Sequence, residues 1–231
     1  MKRTTSFISL AILILFLFSS AAVLQAANKP WTIMVYMGGD NDSTMDNQTQ
    51  IDLNRFETAG SNADRNIVAL CDRLDDGIKI YYIDKDDNDG QVVSKVVKEI
   101  PEASTGDPKI LTDFFKYCAE NYPADNYLLD LWNHGGGIDD PRRAERASKG
   151  IIYDGSDCIA MVELKAAMAE GKTTFGKNIA VVEMDACLMG LFEVAYQIKD
   201  SCDFVSFSEE VEPMDGIPYK AILPQIVAAT T

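Results

Sequence analysis

An α/β fold with a mostly parallel central sheet flanked by helices is predicted by three features of this chain. Short apolar runs, among them WTIMVYM (31–37), NYLLDLW (126–132) and NIAVVEMD (178–185), have the length of strands buried on both faces. Between them lie longer segments with helical start signals, and strands that alternate with helices need crossover connections, which make neighbours parallel. No repeat, low-complexity tract or linker divides the sequence, so a single core is expected.

The N-terminus comes first. Lys2 and Arg3 precede the apolar FISLAILILFLFSSAAV, and small residues follow in LQAAN, the three-part pattern of a secretory signal peptide over 1–27 with cleavage after Ala26 or Ala27. The apolar core is shorter than a comfortable membrane span, which leaves an uncleaved anchor as the alternative. Export, to the medium, periplasm or cell surface, is the expectation, and 28–231 forms the folded domain.

Strand 31–37 runs into the turn-rich GGDNDS, which starts a helix over about 44–58. NIVALCD (66–72) and GIKIYYID (77–84) give the next strands, and QVVSKVVKEI beyond the acidic KDDNDG suits a surface hairpin. In DPKILTDFFKYCAENYP, Asp107 caps a helix, Pro108 fits its first turn, and Ile110, Leu111, Phe114, Phe115 and Cys118 form its apolar face. NYLLDLW then delivers His134 at its carboxyl end. IDDPRRAERASKG (138–150) has no apolar periodicity and is an exposed loop. A strand-like IIYD, a helix near 159–171, strand 178–185, a helix near 188–199 and a last strand DFVSFSEE (203–210) complete the order.

The formal charge of −15 becomes −17 without Lys2 and Arg3, which disfavours nucleic acid and anionic membrane and suits a cationic ligand. Neither nucleic-acid binding nor stable membrane association after signal cleavage is expected. Five cysteines at irregular spacings, with no C-x-x-C pair, argue against a disulfide framework, and with one histidine in the chain no zinc or other metal-ligand set is assigned. DKDDNDG (84–90) has oxygen ligands but no Glu at EF-hand spacing, and is read as a solvated hairpin tip.

His134 is followed by Gly135, Gly136 and Gly137. Taken alone the stretch is a strand end and a flexible turn. Cys187 lies just beyond strand 178–185, at the mouth of a helix whose first turn would be Leu188 to Phe192, where a helix dipole favours the thiolate. Alone it is a small buried hydrophobe. Together, 53 positions apart at the carboxyl ends of two parallel strands, they point to a Cys–His dyad, because ligand crevices of open α/β sheets lie on that edge. Cys187 would attack a carbonyl carbon and His134 would protonate the departing amine. The backbone N–H groups of Gly135 and Cys187 are candidates for an oxyanion hole, the missing side chain giving substrate room. Asp185, two residues before Cys187, shares its face of an extended strand and reaches the floor of a pocket beside it. A serine esterase is excluded for want of a G-x-S-x-G elbow.

DACLMG with NHGGG resembles the caspase arrangement, in which the histidine stands roughly fifty residues upstream of the cysteine. More closely, WTIMVYMGGDND, YLLDLWNHGGG, VVEMDACLMG and FVSFSEEVEPMDGIPY resemble the clostripain family of cysteine peptidases, relatives of caspases and gingipains, from about residue 31 onward. The resemblance implies a caspase-like αβα sandwich, a Cys–His dyad and cleavage after Arg or Lys. In some members it also implies a calcium requirement and self-processing. It makes Asp185 the receptor for the basic side chain. Asp215, in the D-G turn after the last strand, is a second candidate with an ordinary turn aspartate as its alternative. Glu209 and Glu210 would line the cleft or hold its loops rather than do chemistry. The exposed loop offers Arg142, Arg143, Arg146 and Lys149 as self-processing positions, Lys149 first because Gly150 follows it. Family members are commonly longer, so a fragment or a minimal form is expected. A catalytically inactive module that binds basic peptides is the alternative function.

Overall fold

The computed structural model describes residues 28–74, 76–88, 90–138 and 150–226. In chain order the strands are β1 (Lys29–Gly38), β2 (Arg65–Arg73), β3 (Gly77–Tyr82), β4 (Lys95–Ile100), β5 (Ala124–Trp132), β6 (Ile151–Asp154), β7 (Asp157–Ile159), β8 (Ile179–Asp185) and β9 (Cys202–Phe207). The helices are α1 (Ser43–Glu57), α2 (Pro108–Asn121), α3 (Met161–Phe175), α4 (Phe192–Ile198) and α5 (Tyr219–Ile222). Seven strands form one sheet in the order β4-β3-β2-β1-β5-β8-β9, and β6 and β7 form a separate antiparallel pair.

The parallel part, β2-β1-β5-β8-β9, is the expected doubly covered sheet. The chain leaves β1 toward β2 in one direction and fills β5, β8 and β9 in the other. Right-handed crossovers therefore put α1 on one face and α2, α3 and α4 on the opposite one. Strand alternation supplies each face: Met34, Tyr36, Leu129, Leu131, Val182 and Met184 pack toward α2 and α3, while Ile33, Val35, Met37, Leu128 and Trp132 pack with Leu53 and Phe56 of α1. The order reverses between β1 and β5, so a crevice opens there at the carboxyl ends of the strands.

Local signals act as read. Asp42 accepts the N–H groups of Thr44 and Met45 at 2.8 and 3.0 Å and starts α1, and Asp107 accepts that of Lys109 at 2.8 Å ahead of α2. QVVSKVVKEI pairs back antiparallel on β3 across the acidic turn as the expected surface hairpin, and its edge strand β4 leaves Val96 and Val97 exposed. Two expectations change. IIYD lies outside the main sheet, folded against β7. The helix after Cys187 starts at Phe192, four residues later than expected, since Leu188 takes a left-handed φ of 61° that no helix continues. In the 84–90 turn Asp84 pairs with Lys95 at 3.8 Å and Asp87 with Lys85.

Leu129, fully buried between β1 and β8, reports on this core. Leu129→Ala is expected to lower the unfolding free energy by about 2–5 kcal/mol, read as a lower urea midpoint at unchanged slope. A loss near zero would contradict the packing.

Candidate active site

Residues Trp132 on β5 and Asp185 on β8 are directly paired in the parallel register, so the chain leaves both strands abreast. Two residues on, His134 and Cys187 line one small pocket with Trp132, Asn133, Asp185 and Glu212. Both are partly exposed. The two residues predicted as a dyad are thus brought together by strand pairing, without a helix N-terminus behind the thiol. The Cys187 sulfur accepts the N–H of Glu212 at 3.4 Å. Its loop is further laced to the segment after β9 by Leu188 N–H to Glu210 O, 3.1 Å, and Gly190 N–H to Ser208 O, 2.6 Å.

Asn133, buried beside His134, holds the histidine loop. Its side-chain amide donates to the carbonyls of Gly38 on β1 and of Tyr153 on β6, the latter at 3.0 Å. Its oxygen accepts the N–H groups of His134 and of Tyr153, the latter at 2.9 Å. One primary amide with two donors and two acceptor lone pairs is fully used here. Asp42 lies close by. Its carboxyl is held below the usual range chiefly by the N–H of Met45, with the charge of His134 a smaller cause.

The glycines do something other than was expected. A Cβ on Gly135 would run into the carbonyl oxygen of Cys187 and the side chain of Met189, so the space left by the missing side chain is filled by the cysteine loop rather than kept for substrate. Gly136 donates to the carbonyl of Gly150 at 2.9 Å, and Gly135 bridges Ile151, which ties the histidine loop to the far end of the 138–150 segment. Ile152, next along, holds φ at 59°, a costly conformation for a β-branched residue. Arg142, Arg143, Arg146 and Lys149 lie outside the described residues, as does the 1–27 segment.

Beneath the pocket sits a set of carboxylates. Asp130, Glu183 and Asp185 follow the same period-two face of β5 and β8, Asp130 directly opposite Glu183. The hydroxyl of Tyr219 lies 2.6 Å from Asp185 Oδ2 and 2.8 Å from Asp130 Oδ2. The hydroxyl donates toward both oxygens, and burial and then the charge of Asp185 push the Asp130 carboxyl well up, against the lowering effect of the Tyr219 hydrogen bond. Glu212 is driven up to about 8, first by burial and then by a hydrogen bond to Asp185 and that residue's charge. Sequence reasoning missed Glu212. It has no motif, and only the fold carries it from the 208–213 segment to Asp185.

Asp215 is placed elsewhere. Its exposed carboxylate meets Arg55 of α1 at 3.0 Å, and the same guanidinium donates to Asp215 O at 2.8 Å and to buried Asp52 at 2.8 Å. It therefore pins the loop whose Met214 and Gly216 line the pocket, and does not itself face the cavity. Glu209 and Glu210 are exposed on that segment, outside the pocket lining.

This architecture is a caspase-like αβα sandwich with a cysteine and a histidine set on adjacent parallel strands. Residues 35–231 match the clostripain family of peptidases C11, and the chain belongs to that family. It is 29% identical over 235 residues to clostripain of Hathewaya histolytica, covering 87% of this chain and 43% of that protein. A secreted C11 cysteine protease from Bacteroides thetaiotaomicron, solved with an irreversible peptide inhibitor, superposes at a TM-score of 0.69 with 21% identity over 88% of this chain and 55% of its own. An inactive zymogen C11 protease from Parabacteroides distasonis gives 0.68 and 20% over 87% and 54%. The chain thus spans less than half of the curated relative and a little over half of these solved ones.

The close seat of Gly135 makes a test. Gly135→Ala must push the histidine and cysteine loops apart, and displacements of about 1 Å can cost about a hundredfold in rate. The variant is expected to keep its fold by circular dichroism and to lose at least that factor in kcat on an Arg-ended fluorogenic peptide.

Proposed function

We propose that this chain carries the catalytic unit of an exported cysteine endopeptidase that cleaves after Arg or Lys. The observation that carries the proposal is the meeting of the chain's single histidine, Cys187, the buried Asp185 and the half-buried Glu212 in one pocket. The Cys187 thiolate adds to the scissile carbonyl, and the oxyanion takes N–H donors from the Cys187 and Gly135 backbones. His134 gives its proton to the departing amine, and an acyl-enzyme remains. A water then attacks the thioester, His134 taking its proton, and the thiolate leaves. Cationic specificity rests on Asp185, whose charge is shared with Glu212, while Asp215 orients the covering loop through Arg55.

The 212–216 loop lines this pocket through Glu212, Pro213, Met214 and Gly216, so it borders the space a basic side chain would enter. The signal-peptide pattern over 1–27 supports export, and the Bacteroides relative is described as secreted. Among the described residues no helix is long and apolar enough to cross a membrane. Calcium enters this reading only through the family resemblance.

Self-processing fits the same site. The carbonyl of Gly150, the residue after Lys149 in sequence, accepts the N–H of Gly136, two residues from His134, at 2.9 Å. Cys187→Ala is expected to abolish hydrolysis of Arg- and Lys-ended peptides. By intact-mass spectrometry it should remain one chain where the wild type gives two fragments. Undiminished turnover in the variant would remove Cys187 from the reaction, and an uncut, fully active wild type would end the self-processing idea.

The shared proton predicts a pH dependence. Below about 8 the Glu212 carboxyl keeps its proton, and a guanidinium or amidinium entering beside Asp185 must displace it. Benzamidine binding to Cys187→Ala, measured calorimetrically, should therefore strengthen as pH rises toward 8, by up to about tenfold per unit, and level off above. Adding Glu212→Gln should flatten the profile, and adding Asp185→Asn should remove binding. A flat profile with Glu212 intact would contradict the pocket.

A further inference from the structure

A second cavity lies behind the dyad pocket, between the sheet and residues 217–226. Across β5, β8 and β9, Asp130, Glu183 and Ser206 are direct neighbours in the parallel register. Period two places this polar row on the same face as Leu128, Val181 and Phe204, two residues earlier on the same strands. Ile217, Tyr219, Ile222, Leu223 and Ile226 roof the rows and leave a space of about 110 Å³ over Leu128, Asp130, Glu183 and Ser206. Its mouth lies beside Ser206 and Ile222, both exposed. An aliphatic chamber thus carries two acids on its floor.

The distinguishing observation is Asp130, which is 2% exposed. Its Oδ2 meets the Tyr219 hydroxyl at 2.8 Å, whereas its Oδ1 is buried without a hydrogen-bond partner. Glu183 meets the Ser206 hydroxyl, yet burial still raises its carboxyl. Guanidinium groups on this face are engaged elsewhere: Arg55 by Asp52 and Asp215, and Arg65 by the carbonyls of Ala59, Gly60 and Leu223 at 3.0–3.1 Å. A buried oxygen left without a donor carries its full desolvation cost, which a donor entering the cavity removes. Size and chemistry then define the guest. A dry cavity of about 150 Å³ accepts a benzene ring, so this one accepts about five or six heavy atoms. Two neighbouring acids favour a cation, and the aliphatic roof favours a compact hydrocarbon body.

We propose that this cavity binds a small primary alkylammonium ion, with the ammonium between Asp130 and Glu183 and the hydrocarbon under Ile222, Leu223 and Ile226. The three ammonium donors match Asp130 Oδ1, a Glu183 carboxylate oxygen and the Ser206 hydroxyl. Burial and the charge of Asp185 hold Asp130 toward its protonated form, and the arriving ammonium releases that proton to solvent. The cavity shares no lining residue with the dyad pocket. Tyr219, bonded to both Asp130 and Asp185, joins the two, so the guest reaches the hydrogen-bond relay of the dyad pocket without entering it.

The test titrates the full chain, as Cys187→Ala, with isopentylamine in a calorimeter and uses isopentanol as the neutral counterpart. Saturable binding of the amine is expected with a Kd of about 1 mM or tighter, and binding of the alcohol at least about tenfold weaker. Asp130→Asn, with its fold checked by circular dichroism, should weaken the amine at least about tenfold. Ile222→Trp, at a mouth position 41% exposed that folding does not need, should obstruct entry and weaken it to a similar degree. Asp185→Asn should retain the amine, which separates the cavity from the dyad pocket. Absence of saturable binding, equal affinity for amine and alcohol, or survival of binding in both Asp130→Asn and Ile222→Trp would overturn the site. So would loss of the amine in Asp185→Asn alone.

Discussion

The pairing of β5 with β8 governs this molecule. Because Leu128 to Trp132 runs parallel to and in register with Val181 to Asp185, the two chains leave the sheet at the same level and on the same edge. A histidine and a cysteine 53 positions apart in sequence thus end beside one pocket. A slip of one residue would turn Asp130 and Asp185 toward the α2–α3 core and face Leu129 and Leu131 toward α1. Register is secured by the apolar residues that the opposite core demands, so the fold's driving force and the site's geometry rest on one constraint.

That constraint has an electrostatic cost. Asp52, Asp130, Glu183, Asp185 and Glu212 converge around Tyr219 with Arg55 as the basic partner seen at Asp52, and burial pushes Asp52 to about 6, Glu212 to about 8 and Asp130 well up. The site tolerates this by keeping protons on some carboxyls and passing hydrogen bonds toward Asp185. Tyr219, packed edge-on against Phe56 with ring centroids 4.6 Å apart, sits at the centre of that relay. For Asp52 the direction is clear. Its folded pKa lies above the unfolded one, so its contribution is unfavourable and grows as pH climbs from about 4 through 6. In the proposed function a cationic substrate group would supply the missing counter-charge, so the same desolvation that burdens the folded state would favour binding.

Asn133 and Gly135 show how loops of low intrinsic order are made rigid. Asn133 spends all its hydrogen-bonding capacity on β1, β6 and His134, and Gly135 lets Cys187 approach to backbone contact. The histidine loop therefore depends on β6, which follows the 138–150 segment in sequence, and the strained Ile152 lies at that junction.

Much of the fold was legible in the chain. Apolar runs marked the main-sheet strands, Asp42 and Asp107 capped helices where such residues should, and Cys187 and His134 stood at strand ends, because burial, capping and turn chemistry act over a few residues. What lay beyond the sequence depended on contacts between distant segments. The left-handed Leu188 delays α4, and β6 pairs with β7 outside the main sheet. Arg55 draws Asp215 out of the pocket, and Glu212 takes the place beside Asp185. Asp130, Glu183 and Ser206 carry no spacing motif and meet only because β5, β8 and β9 pair in register. The sequence by itself determined which elements form and pointed to His134 and Cys187 as the proposed dyad. Tertiary structure decided the surroundings of each charge, because solvation and partners follow from packing in space rather than from order along the chain.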